Sequence, residues 1–186
     1  MRTPRFLLGT ATAAVAALGV VGATGTQATL ASMAMPTPTI ETALAVPVAG
    51  LAPLQEFKTP GGGWFYTLNA GEASNAVARF KFTKSADLGQ LYSSPRPGTV
   101  AIHRLRAKGP VPSYMLSISP AEFNNPSFTD EGILGYADGS QRLGAVRLMR
   151  FSNHGKWRVL PDRPTEVNNM KAAGYVVDGP VGWIRP

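Results

Sequence analysis

No cysteine occurs anywhere in the 186 residues. A disulfide framework, a thiolate metal site and a thiol nucleophile are therefore all excluded, and packing alone must hold the fold together. Histidine is nearly as scarce: only His103 and His154 are present. His154 falls in Asn153-His-Gly155, which reads as a hairpin turn, and His103 lies inside a strand-like run, so a turn or solvent-facing role is expected for each. No serine sits in a nucleophile-elbow pattern, and neither a glycine-rich phosphate loop nor an H-E-x-x-H zinc motif occurs. Asn124-Asn125 and Asn168-Asn169 lack the alternating oxygen ligands of a calcium loop. These absences leave no catalytic residue, no metal and no cofactor to assign, and the expectation is a protein that is not an enzyme.

Charge is also sparse, at 16% of residues, and no three Lys or Arg residues are consecutive. The formal charge is +7, but Arg2 and Arg5 precede all 11 acids, and setting them aside leaves a surplus of five basic residues. Scattered single cations serve solubility, and no nucleic-acid partner is expected. Against this background, 44% hydrophobic residues with 20 glycines and 16 prolines suit a turn-rich β protein.

Arg2 and Arg5 form a short positive region ahead of the uncharged, Ala-, Leu- and Val-rich stretch from Phe6 to Val21. This is the layout of a secretory signal peptide, too short for a membrane span, with small-residue cleavage sites ending at Ala23, Ala28 or Ala34. Residues 1–34 are expected to be the signal peptide and residues 35–53, with four prolines in Met35–Pro53, a linker. The protein is expected to be secreted or periplasmic, with no membrane association once the leader is removed.

Residues 54–186 carry features that recur with a period of about 46 residues. Apolar pairs three apart stand at Leu54 and Phe57, Ile102 and Leu105, and Leu148 and Phe151. A turn-rich stretch follows each pair, then an aromatic-bearing strand: Trp64 to Leu68, Tyr114 to Ile118, Trp157 to Leu160. Helix starts follow at Asn69-Ala-Gly-Glu72, Ser119-Pro-Ala-Glu122 and Arg163-Pro-Thr-Glu166. Asn69 and Ser119 suit the N-cap, Pro120 and Pro164 the first helical position, and the glutamate is placed to reach back to the cap residue's N–H. Arg163 is a poor cap. Finally Phe82, Phe128 and Tyr175 each precede a glycine by seven residues (Gly89, Gly135, Gly182). The expected fold is mainly β with short helices, a three-fold repeat over about 54–98, 99–143 and 144–186. Each unit is read as strand, strand, helix, strand, turn, strand, giving about twelve strands closed as a β-trefoil-like structure.

Trp64-Phe-Tyr-Thr67, the glutamates Glu72, Glu122 and Glu166, Gly174-Tyr175 with Asp178-Gly179, and Glu131-Gly132 together resemble a secreted three-copy repeat family of unknown function from bacteria and fungi. Its units read approximately YRFYN, HFYT, a glutamate-bearing helix, GY, an acid with glycine, and an aromatic end. The resemblance covers Leu54 to Ile184 and implies an extracellular domain with no established reaction. The second and third copies read Ser113-Tyr-Met-Leu116 and Lys156-Trp-Arg-Val159 and lack the family's histidine.

Trp64, Tyr66, Tyr114 and Trp157 are the candidate ligand-binding residues, since flat apolar rings with a polar edge can stack on sugar faces or pack in a core. The three glutamates could anchor a sugar, but helix capping accounts for them more simply. The functional expectation is an exported, non-catalytic binding module for an extracellular glycan or protein. A structural or protein-interaction domain is the alternative, and a secreted hydrolase has only the presence of Glu, His and Asp in its favour.

Overall fold

In the computed structural model, residues 50–186 are described. The expected signal peptide and most of the expected linker lie outside them. Among the described residues no helix is long and apolar enough to cross a membrane. The described residues are mainly β with three short helices.

One order of elements, two strands, a helix and a third strand, occurs three times. The first set is β1 (Leu51–Lys58), β2 (Trp64–Thr67), α1 (Ala70–Ala78) and β3 (Thr83–Tyr92); the second is β4 (Thr99–Ala107), β5 (Tyr114–Ser117), α2 (Pro120–Phe123) and β6 (Phe128–Asp138). The third is β7 (Val146–Asn153), β8 (Lys156–Pro161), α3 (Pro164–Ala172) and β9 (Val176–Ile184). β1 begins three residues before the expected domain start. In each set the first strand lies between the other two, pairing antiparallel with both. All nine strands join one antiparallel sheet along β2-β1-β3-β6-β9-β7-β8, with β4 and β5 branching from β6, and this path is open at both ends.

Among the described residues nine strands stand where about twelve were expected, because the segment after each helix is one long strand rather than strand, turn, strand. Gly89, Gly135 and Gly182 lie inside β3, β6 and β9. Their role is close approach. A Cβ on Gly89 would come within 2.5 Å of the Arg185 carbonyl oxygen, and one on Gly182 within 2.5 Å of the Ala137 Cβ. At Gly135 it would meet a Leu68 methyl at 2.7 Å. Gly89 and Gly182 also hold φ of +139° and +133°, which side-chain-bearing residues rarely adopt. The long strands meet just beyond these glycines, through Tyr92 with Tyr136, Asp138 with Trp183, and the isolated bridge of Gln90 with Arg185.

The anchor residues fill the interior. Leu54, Phe57, Ile102, Leu105, Leu148 and Phe151 are all buried. Leu54, Ile102, Leu148 and Phe151 join Leu91, Leu116 and Ile184 in the main core, whereas Phe57 packs with Phe65, Phe82, Ala73 and Ala76 in a second cluster under α1. Burying a side chain of this size contributes about 1.5–3 kcal/mol.

The helices start where expected, but their glutamates do not cap. Asn69 Oδ1 accepts from the Glu72 N–H at 2.9 Å, and Pro120 and Pro164 open α2 and α3. The Asn69 and Ser119 N–H groups donate instead to Thr67 Oγ1 (2.9 Å) and Ser117 Oγ (3.0 Å), two residues upstream. Because a hydroxyl on the preceding strand satisfies the orphan donor, the carboxylates of Glu72 and Glu122 are free to turn outward to a neighbouring strand.

Candidate functional site

Two of those glutamates form matching clamps. Arg104 on β4 donates from Nη1 to Glu72 Oε2 (2.9 Å) and to the Tyr66 carbonyl oxygen (2.7 Å), from Nη2 to Glu72 Oε1 (2.8 Å), and from Nε to Glu131 (2.8 Å). Arg150 on β7 repeats the set: both terminal nitrogens donate to Glu122 at 2.7 Å, Nη1 to the Leu116 carbonyl oxygen at 3.2 Å, and Nε to Asp178 at 2.9 Å. Ser117 Oγ also donates to Glu122. A planar guanidinium offers its N–H fork to a carboxylate with both bonds made, which a lysine cannot do.

The electrostatics follow the geometry. Partial burial would raise the Glu72 carboxyl, but hydrogen bonds from Arg104 and Thr67 and the Arg104 charge bring it below the ordinary range. Hydrogen bonds from Arg150 lower Glu122 against a smaller opposing effect of burial, with Ser117 and the Arg150 charge adding to the lowering. Burial would lower Arg104 and Arg150, yet their carboxylate partners raise both above the usual guanidinium value.

Beside the first clamp opens an aromatic cleft of about 340 Å³. Phe65, Phe82 and Tyr114 form its walls, Phe80 its rim, and Glu72, Arg104, Arg106 and Glu131 its polar edge. Tyr114 packs edge-on against Phe65 with ring centroids 5.0 Å apart, and Arg104 lies over Phe65 at 4.7 Å. Phe80 keeps 61% of its surface exposed.

The four candidate aromatics are dispersed, and only Tyr114 reaches this cleft. Tyr66 is a core residue with 0% exposure, its hydroxyl accepting from the Val159 N–H at 3.0 Å and lying 3.5 Å from Glu56 Oε1. Burial, with Glu56 alongside, pushes that hydroxyl well above its ordinary pKa. Trp64 is also buried, under the Arg158 guanidinium at 3.9 Å. Trp157 is half-buried, edge-on to Phe128 at 5.2 Å. Of the two roles open to these rings, Tyr66 and Trp64 take the core one: β2 is covered on both faces, so strand alternation does not send one side to solvent.

Phe80 was missed because it lies between α1 and β3, outside every recurring feature. His103 is half-buried on β4: its ring stacks on Phe123 with centroids 3.9 Å apart and Nδ1 lies 2.8 Å from Asp130 Oδ2. His154 occupies the β7–β8 hairpin turn with φ of +46°.

Residues 54–184 match the sequence profile of one family, described as a domain of unknown function, DUF5648. No curated protein and no solved structure matches the chain.

Proposed function

Since the chain belongs to this family, whose description assigns no activity, we propose from the geometry that it is an exported, non-catalytic binding module whose ligand lies against Tyr114 and Phe80. The observation that carries this reading is the aromatic cleft itself. It combines an exposed ring, a half-buried ring and a charged edge in about 340 Å³, within the size range of small-molecule sites. Rings offer stacking surface to the apolar face of a sugar, while Glu72, Glu131 and Arg106 offer acceptors and donors to its hydroxyls. An extracellular glycan is the ligand class this combination favours. Export is supported by the charged and apolar layout of residues 2–21.

The same reading takes 51–92, 99–138 and 146–184 as three copies of one unit in a trefoil-like arrangement of nine strands. Identical pairing within each set and the three matching end contacts between β3, β6 and β9 support it. A protein partner is the second reading, favoured by Val77 and Phe80, which stand exposed on α1 and just after it.

The test is a glycan array probed with the full chain and with Tyr114→Ala and Phe80→Ala. Retention on a subset of glycans, weakened by about tenfold in either variant, is the expected result. Absence of retention on every glycan would overturn the glycan reading, and retention unchanged in both variants would displace the site.

A further inference from the structure

The two arginine clamps have a third counterpart with a different composition. Register identifies it. Arg104 pairs with Leu116, and Arg150 pairs with Val159 on one side and Gly179 on the other. In β1 the residue at this position is Glu56, paired with Tyr66 and Ala86. An acid therefore stands where the other two first strands carry the clamping arginine. Glu56 is satisfied within the core by Arg158, whose Nε and Nη2 donate to its two oxygens at 3.0 and 2.9 Å. Ser85, the residue before Ala86, stands where Asp178 stands before Gly179.

Glu166, third in α3 as Glu72 is in α1 and Glu122 in α2, is left without the bidentate partner that the other two have. Its Oε1 accepts a single N–H from Arg163 at 3.1 Å, and that arginine is 54% exposed. Its Oε2 is buried with no hydrogen-bond partner. Buried carboxylate oxygens are normally satisfied, and one left unpaired is unfavourable. Glu166 lines a cleft of about 380 Å³, roughly twice the 170 and 180 Å³ of the clefts at the equivalent positions of the Arg104 and Arg150 clamps, the first of these distinct from the aromatic cleft of about 340 Å³. Leu88, Leu160 and Met170 give this cleft apolar walls, Ser85, Asp87 and Asn169 add polar groups, and the cations Arg158 and Arg163 also line it.

We propose that the cleft between β3, β8 and α3 is a binding site for a guanidinium group carried on an alkyl stem, received by the Glu166 carboxylate. The chemistry is that of the chain's own clamps: a fork of N–H donors onto the same helix glutamate, supplied by a ligand instead of by the next strand. Arg158 does not serve, because Glu56 holds it and Trp64 lies beneath it. Arg163 makes one solvent-exposed bond, which a bidentate ligand can replace at little cost. The apolar walls suit the methylene stem of an arginine-like group.

This site is separate from the aromatic cleft of the proposed function, so either can fail alone. The test is titration of the isotope-labelled full chain with agmatine, followed by backbone amide shifts. Saturable shifts at Ser85, Leu88, Leu160 and Glu166, with those near Tyr114 unmoved, are expected. The neutral analogue N-butylurea should give none. Glu166→Gln should raise Kd by about tenfold, the loss of one charge-assisted pair. Ser85→Glu, restoring an acid where Asp178 stands, should lower Kd by about threefold. Shifts that do not saturate, equal binding of butylurea, or an unchanged Kd in Glu166→Gln with a native spectrum would each overturn the proposal. Should Glu166→Gln fail to fold, a Ser85→Glu variant that binds no more tightly would do so.

Discussion

Replacing Arg150 by methionine removes four hydrogen bonds from one side chain while keeping an unbranched apolar stem. The guanidinium is only 14% exposed and holds Glu122, Asp178 and the Leu116 carbonyl oxygen together. A hydrogen bond to a charged group is worth about 1.5–3 kcal/mol net, and breaking a fully buried ion pair costs about 3–5 kcal/mol. Glu122 keeps 29% of its surface in water, so screening places this site below that range, at about 2–3 kcal/mol. For a domain of this size the melting temperature should fall by about 6–15 °C.

Urea unfolding of the full chain, followed by tryptophan fluorescence, measures the loss, with Arg163→Met as the exposed comparison expected to stay within about 0.5 kcal/mol. The pH dependence gives a second readout. Glu122 is lowered in the folded state, so the clamp's contribution is complete above the ordinary carboxylate pKa of about 4.3 and is lost as pH falls through the lowered folded value. The gap between wild type and Arg150→Met should therefore close on acidification. A loss below about 1 kcal/mol at neutral pH, or a gap that widens with acid, would refute the reasoning.

Gly182→Ala places a methyl 2.5 Å from the Ala137 Cβ at a φ of +133°, and should cost about 2 kcal/mol or more in the same unfolding assay. Gly109→Ala, with nothing within 4 Å, should be neutral to within about 0.5 kcal/mol. Tyr66→Phe strips the buried Val159 N–H of its acceptor and should cost about 1–2 kcal/mol, with the native circular dichroism retained. Glu72→Gln keeps the N-cap bond from Asn69 but weakens the Arg104 clamp. It should destabilise by about 1–2 kcal/mol, whereas a capping glutamate would lose only about half of that.

Local signals in the chain were enough to locate most elements. The starts of α1, α2 and α3 follow from Asn69, Pro120 and Pro164, because capping and a fixed φ act within one turn. The hairpin strands follow from aromatic runs flanked by glycine and proline, and Leu54, Ile102 and Leu148 are buried as their pattern requires. What depended on residues distant in sequence was not legible. Gly89 and Gly182 read as turns, yet their conformation serves the close packing of one long strand on another. Glu72 and Glu122 read as caps, yet Thr67 and Ser117 take that role and the carboxylates meet arginines 32 and 28 residues away. Trp64 and Tyr66 had the composition of a binding surface, and only the covering of β2 on both faces made them core. Side-chain chemistry determined which local structures form. Which face is buried, and which acid meets which base, is decided only when separate strands pack together, because burial and ion pairing belong to the neighbours a residue acquires in the folded chain.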